Sequence, residues 1–389
     1  MRPSKSEPVP TTTNNETPVS AGVAPMTRWW SEPPPEDVQR ALERLRRAPD
    51  VARVAVMPDV HLADHVCVGT VLGSDAWLYP QAVGGDIGCG MAAVRLHAST
   101  DALADEDAAA ALFARLRHEV PPVRQFRPQP VALGELSDPA LQHRVERDAR
   151  IEFGTLGRGN HFLEVQADEN DALWLMVHSG SRALGPAVRD HHLARGEPVG
   201  KGLVALAADG AGKEYLHDTE VAVTYAEHNR RAIAAAAERA LRDSLGIEVD
   251  WSTWFQSTHN FVRQEHHDGR ELWVHRKGAA SAREGEPGIV PGSMGTRSFH
   301  VTGRGHAAAL CSCAHGAGRA LARGAAARAI TVRDLERDLR GVFFERDLAP
   351  RLRDEAPGAY KDIGPVMRAQ RELVRVERVL RPVLAYKAV

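Results

Sequence analysis

Asp86 and Cys89 stand three residues apart in DIGCGM, a stretch loosened by Gly84, Gly85, Gly88 and Gly90. Glycine lets a backbone fold tightly enough for a carboxylate and a thiol to point at one ion. A turn-forming Asp beside a buried structural Cys is the plainer alternative. Further along, GTLGRGNHFLEV carries Asn160, His161 and Glu164. In a strand, Asn160 and Glu164 share one face and His161 takes the other, which suits a wall between a metal and a ligand. His178 closes an apolar run in MVHSGSR, and His259 with Asn260 follows WFQST. His161 alone reads equally well as a core-edge residue satisfied by a backbone carbonyl, and His178 or His259 alone reads more readily as structural than as a ligand. Together, one Asp, one Cys and three His at strand-to-loop boundaries make a mixed nitrogen, oxygen and sulfur constellation. Five ligands exceed the four of a structural zinc, so two metals sharing a bridging thiolate fit the set.

CSCAHGAGR, from Cys311 to Arg319, is expected to open a helix. A Gly-rich helix start offers free N–H donors to phosphate, and Arg319 can clamp the same oxygens. His315 stands at that mouth, where a neutral imidazole can attack phosphorus and form a phosphoramidate that hands the group on. A zinc site built from Cys311, Cys313 and His315 is the competing reading, but it leaves the Gly-Ala-Gly-Arg run without a purpose. HRKGAASA and EPGIVPGSMGTRSF add glycine-framed N–H groups and the cations Arg276, Lys277 and Arg297. Plain basic surface loops are the alternative for these two.

The elements that must position these groups follow from periodicity and punctuation. Residues 1–26 are polar and punctuated by Pro and Gly, with almost no apolar bulk, and are expected to be a disordered tail. EDVQRALERLRR has helical spacing, and VARVAVMP at 51–58 is a β-branched strand ended by Pro58. Gly-rich turns between VGTVLG, AWLYPQAVG and GMAAVRL predict short strands and tight loops. Helices are expected over 101–118, 139–152 and 219–246, in GRALARGAAARAI, and around 365–380, followed by a tail RPVLAYKAV. No internal repeat or late linker divides the chain, so residues 27–389 are read as one interlocked domain.

The chain has 389 residues with 49 basic and 51 acidic side chains, and its net charge of −2 excludes a globally basic, histone-like nucleic-acid binder. A polyanionic partner must be met by a local groove. Four cysteines, Cys67, Cys89, Cys311 and Cys313, are too few and too irregular for a secreted disulfide scaffold, which points to a reducing cytoplasm. No apolar run reaches 18 residues and no signal pattern opens the chain, so membrane insertion and secretion are not expected. The 18 histidines, several beside Asn, Gly, Cys or Asp, direct attention to histidine chemistry.

The motifs, taken in order, resemble those of the RtcB RNA ligases. The matching segments are PDVH at 58–61, DIGCGM at 86–91, GNHFLEV at 159–165, HSGSR at 178–182, HNFV at 259–262, RKGA at 276–279, PGSMGT at 291–296 and HGAGR at 315–319. The resemblance implies a single compact α/β (α+β) domain with β-sheets around a deep metal pocket and surrounding helices. It implies that Asp86, Cys89, His161, His178 and His259 bind two Mn2+ ions, with Cys89 bridging, and that His315 becomes guanylylated. It also implies nucleotide contacts from Asn160, His161, Glu164, His259, Asn260, Pro291, Gly292, Ser293, Met294, Ser298, Gly316, Ala317, Gly318, Arg319 and Lys387. A guanine-selective pocket follows if Glu164 accepts from the N–H groups of the Watson–Crick edge and Lys387 donates to O6, since adenine presents the wrong groups there. The implied activity is GTP- and manganese-dependent joining of RNA 3′-phosphate or 2′,3′-cyclic phosphate ends to 5′-hydroxyl ends, in RNA repair or tRNA splicing, with an archease-like activator as a further partner. A two-metal RNA cyclic phosphoesterase and a zinc-stabilised RNA-binding module are the alternatives. One departure stands out: after PDVH, where the family has a Gly-rich stretch, this chain reads LADHVCVG with Ala63, Asp64 and His65. A paralogue specialised for repairing one broken RNA would carry such a change.

Overall fold

The computed structural model describes residues 22–30, 32–200 and 202–388. Two sheets organise a mixed α/β fold. The smaller has five strands in the order Met26–Arg28, Val51–His61, Val68–Ser74, Arg270–Lys277 and Asn260–His267, with only the first pair parallel. The larger has seven antiparallel strands in the order Val249–Thr258, Gly90–Ser99, Ala172–Ser179, Phe162–Ala167, Val374–Lys387, Ser298–Gly303 and Pro287–Val290. At one crossing the chain passes between the sheets through a single residue, His259, which links the edge strands Val249–Thr258 and Asn260–His267.

Alternation within the larger sheet separates core from site. In Phe162–Ala167, Leu163, Val165 and Ala167 pack into a core with Ile233, Ala237 and Leu241 of the 35-residue helix Ala211–Leu245. Because strand side chains alternate between faces, Phe162, Glu164 and Gln166 face the opposite side. A buried carboxylate and a buried amide on that face cannot be explained by packing, since burying such groups costs free energy unless they are partnered.

Several expectations change. Ala24 and Met26 are buried, and Met26 pairs with Val54, so packed structure begins inside the stretch expected as a tail; residues 1–21 lie outside the described residues. The strand from Val51 runs through Pro58 to His61, because the register shifts between Val56 and His61 and no ladder bond is required of the proline. AWLYPQAVG holds only the strand Trp77–Leu78, followed by a 3-10 turn at Pro80–Ala82. The first of the expected helices starts later, as Glu106–Glu119 capped by Asp105, and the long one starts earlier, at Ala211. The expected helix at 365–380 is a short helix, Ile363–Ala369, followed by the 14-residue strand Val374–Lys387, which also takes up the expected tail. There VRVERV is β-branched alternation that its arginines disguise, and pairing on both sides overrides helical propensity. Among the described residues no helix is long and apolar enough to cross a membrane.

Candidate active site

The turn DIGCGM is held in place from behind. Gly88 has φ +76°, and a Cβ there would meet Ala226 and Val223 of the long helix at 2.8 Å, so only glycine fits. The fully buried Arg230 of that helix donates to the carbonyls of Gly88 at 2.7 Å and Ser179 at 3.1 Å, and to Thr258 at 3.2 Å. One guanidinium thus ties together the three segments that carry Cys89, His178 and His259. His259 itself donates its backbone N–H to the Cys89 carbonyl at 2.8 Å.

Five side chains converge as a result. Cys89 Sγ lies 3.4 Å from His161 Nε2 and 3.3 Å from His178 Nε2; His161 Nε2 lies 2.9 Å from Asp86 Oδ2, and His178 Nε2 lies 3.4 Å from His259 Nε2. They form two overlapping triads, Asp86–Cys89–His161 and Cys89–His178–His259, with Cys89 common to both. His178 Nδ1 points at the Asn160 carbonyl 3.1 Å away, so it carries the proton and Nε2 presents a lone pair. Burial first, then neighbouring imidazoles, push His178 and His259 well below the usual histidine pKa, and burial raises the Cys89 thiol. Neutral imidazole nitrogens facing one another and a sulfur across a buried gap repel unless a cation lies between them. The donor set therefore fits metal ions, and the shared sulfur fits two of them.

Next to this cluster a cavity of about 340 Å³ opens. Every residue expected at the site lines it except His161, which is buried behind Asp86 and Cys89. The strand reading of GNHFLEV is adjusted: Asn160 and His161 precede the strand, and Asn160, Phe162 and Glu164 line the cavity. Asn260 is spent on framework bonds, donating to the Asp86 carbonyl at 3.0 Å and accepting from the Gly278 N–H at 2.7 Å.

His315 does not open a helix. Ser312–Ala314 is a strand paired with Ala279–Ser281, His315 ends it, and the first following helix is the seven-residue Arg323–Ala329, a fraction of the one expected. Gly318 breaks the helix: it has φ +76°, and a Cβ there would lie 2.2 Å from the Asp59 carbonyl. The N–H groups of Gly316, Ala317 and Gly318 find no backbone acceptor among the described residues, so the free donors at this site belong to an open loop rather than a helix end. Arg319 is not free to clamp phosphate. It donates to the carbonyl of Leu321 and to Glu355, and its guanidinium lies 4.9 Å from the Tyr360 ring centre. Of the three cations expected near the PGSM and RKGA loops, only Lys277 lines the cavity. Arg276 is fully buried against Glu265 at 2.6 and 3.1 Å, and Arg297 is exposed away from it. Cys311 and Cys313 belong to neither metal triad.

Two functional neighbours escape sequence reasoning. Asp59, fully buried, places Oδ2 2.6 Å from His315 Nδ1, close enough for a hydrogen bond though not aligned for one until either side chain rotates slightly. Lys361 fixes the Asp59 backbone by donating to Pro58 O and Val60 O at 3.2 and 2.6 Å. The His315 ring lies 4.8 Å from that of His259, which puts it beside the metal cluster. Glu355 is the second, bonded to Lys387 at 2.7 Å in the cavity wall. PDVH was the only available signal for Asp59. Glu164, which lines the same cavity, is bonded to Gln166 at 2.6 Å, and burial raises its pKa to about 7.

A family model described as tRNA-splicing ligase RtcB matches residues 41–135 and 129–388. The RNA-splicing ligase RtcB of Escherichia coli is 33% identical over 404 aligned residues, covering 94% of this chain and 97% of that protein. The RNA-splicing ligase RtcB of Mycobacterium tuberculosis is 31% identical over 291 residues, 64% of this chain and 66% of that protein. The tRNA-splicing ligase RtcB of Methanopyrus kandleri is 33% identical over 302 residues, 61% of this chain and 30% of that protein. Alignment over nearly the full length of two proteins at this identity reflects common descent, and the chain belongs to the RtcB family.

Proposed function

We propose that this RNA ligase uses GTP and two Mn2+ ions to join RNA 3′-phosphate or 2′,3′-cyclic phosphate ends to 5′-hydroxyl ends through a covalent histidine–GMP. The observation that carries the reading is that His315, with buried Asp59 at Nδ1, lies beside the shared-thiolate cluster and lines the same cavity as Glu164 and Lys387. With Nδ1–H turned to Asp59, the lone pair resides on Nε2. That nitrogen attacks the α-phosphorus of GTP, an N–P bond forms, and the bond to pyrophosphate breaks. Asp59 offsets the positive charge the ring acquires, so the imidazolium is stabilised as it develops. Asp86, Cys89, His161, His178 and His259 would hold the Mn2+ ions, which when bound would supply positive charge to the phosphoryl oxygens.

In the same cavity, Glu164 accepts from the guanine N–H groups and Lys387 donates to O6. The loop N–H groups of Gly316 to Gly318, with Pro291 to Met294 and Ser298 facing them, cradle the phosphates and ribose. A 3′-phosphate oxygen of the RNA then attacks the GMP phosphorus, and the N–P bond breaks, which restores His315. A cyclic end is first opened by water to a 3′-phosphate. Finally the 5′-hydroxyl attacks the activated 3′-phosphate, a phosphodiester forms, and GMP leaves. RNA repair or tRNA splicing in the cytoplasm, with an archease-like activator, is the setting this chemistry fits.

Incubation with α-labelled GTP and Mn2+, followed by RNA carrying a 3′-phosphate and a 5′-hydroxyl, tests the proposal. An acid-labile, base-stable label on the protein and a joined product are expected. Opening of cyclic phosphate with neither label nor joining would show a phosphoesterase instead.

A further inference from the structure

Glu355 sits in a short 3-10 turn, Arg353–Glu355, outside every motif that drew attention in the sequence. It is only 3% exposed, yet four donors converge on its carboxylate. Oε2 accepts from Lys387 Nζ and from the Tyr360 hydroxyl, each at 2.7 Å, while Oε1 accepts from Arg319 at 3.1 Å and Arg323 at 2.8 Å. Burial alone would raise its pKa; the Lys387 and Arg323 charges outweigh burial and hold it below the usual value. A carboxylate buried this deeply and this fully paired remains ionised.

Lys387 has two carboxylates within electrostatic reach, Glu355 and Glu164, and the structure seats it on Glu355. The alternative seat matters. An ammonium on Glu164 would join the donor and the acceptor that a guanine edge requires, and each would cancel the other. An ammonium has three N–H donors, so one can stay on Glu355 while another meets a carbonyl oxygen.

We propose that Glu355 is a positioning residue for base selection, reserving Lys387 for the guanine carbonyl and keeping it off Glu164. This rests on the guanine-pocket reading above. Tyr360 and Arg319, bonded to the same carboxylate, fix its orientation.

Guanylylation is measured with GTP and ATP on wild type, Glu355→Gln, Glu355→Asp, Lys387→Met and the double variant Glu355→Gln with Lys387→Met. Glu355→Gln is expected to raise KM for GTP on the order of ten-fold and to narrow the GTP-over-ATP preference, with kcat nearly unchanged. Glu355→Asp keeps the charge and is expected to fall between wild type and Glu355→Gln. In the Lys387→Met background Glu355→Gln should add nothing, because the group it positions is gone. Wild-type KM and preference in Glu355→Gln, an equal loss with and without Lys387, or a larger loss in Glu355→Asp than in Glu355→Gln would each overturn the proposal. If Glu355→Gln does not fold, the cycle is run with Glu355→Asp under the same criteria. A Lys387→Met enzyme that keeps full preference for GTP overturns the guanine-pocket reading itself, which separates the two failures.

Discussion

Asp59→Asn isolates the contact proposed to make His315 a nucleophile. The substitution preserves shape in a fully buried position, so the fit of Gly318 against the Asp59 carbonyl and the two Lys361 bonds to this strand are untouched. It removes one negative charge 2.6 Å from Nδ1. When Nε2 bonds to phosphorus the ring becomes cationic, and a hydrogen bond from a cation to a carboxylate is worth about 1.5–3 kcal/mol, roughly twice its neutral counterpart. Losing that amount only in the transition state slows the step by about 10- to 150-fold. An amide can also offer N–H to Nδ1 and favour the tautomer whose lone pair points the wrong way, which puts the loss toward the upper end. Single-turnover labelling with saturating GTP reads the step directly. The rate should fall by that factor, KM for GTP should change less than about two-fold because Asp59 does not line the nucleotide cavity, and metal content should stay at the wild-type level because Asp59 belongs to neither triad. A wild-type labelling rate, or a loss confined to KM, would refute the role of Asp59.

Other outcomes follow from the same geometry. His315→Ala should keep the fold, since its ring packs at a cavity wall rather than in a core cluster, and should give neither label nor joined RNA; normal labelling by the folded variant removes His315 from the chemistry. Burial raises Glu164 to about 7, so it is ionised above that pH and accepts N–H bonds, whereas below it the carboxyl gains a proton. KM for GTP should therefore rise about ten-fold per unit as pH falls below 7, and a Glu164→Gln enzyme that keeps the same pH profile shows that another group is responsible. Because Cys89 is common to both triads, Cys89→Ala should release both metals and Asp86→Ala mainly one, as read by metal analysis of the purified protein. Thiolate and imidazole ligands favour zinc over manganese by the Irving–Williams order, yet four-coordinate zinc leaves less room for phosphate oxygens, so trace zinc should inhibit Mn2+-supported labelling. Two metals retained by Cys89→Ala would defeat the shared thiolate.

What could be read in advance depended on whether chemistry and position were encoded in the same few residues. DIGCGM and GNHFLEV announce themselves because the candidate ligand and the glycines that aim it are neighbours, and the structure brings Asp86, Cys89, His161, His178 and His259 into two triads that share Cys89. The surrounding strands were legible where the apolar run was unbroken, as in Ala172–Ser179, and illegible where polar residues interrupted it. Val374–Lys387 looked helical because arginines fill its solvent-side positions and Pro382 interrupts it; only the partners on either side make it a strand, and only that strand delivers Lys387 to Phe162. His315 was aimed correctly by residue type but given the wrong support, since the alanine-rich run downstream suggested a helix, whereas the contact that excludes one, Gly318 on the Asp59 carbonyl, joins residues 259 positions apart. The same distance hides Asp59, an ordinary strand residue until the loop closes over it. Glu355 is hidden for a different reason: RLRDEAPG has the composition of a solvated turn, and its carboxylate becomes a buried hub only because Lys387, Arg319, Arg323 and Tyr360 arrive from elsewhere. The proposed metal ligands thus advertise themselves by type, while the groups proposed to orient His315 and Lys387 are brought to them by tertiary closure. Substitutions at Asp59 and Glu355 should accordingly alter rate and selectivity without altering metal content, whereas those in DIGCGM should alter all three.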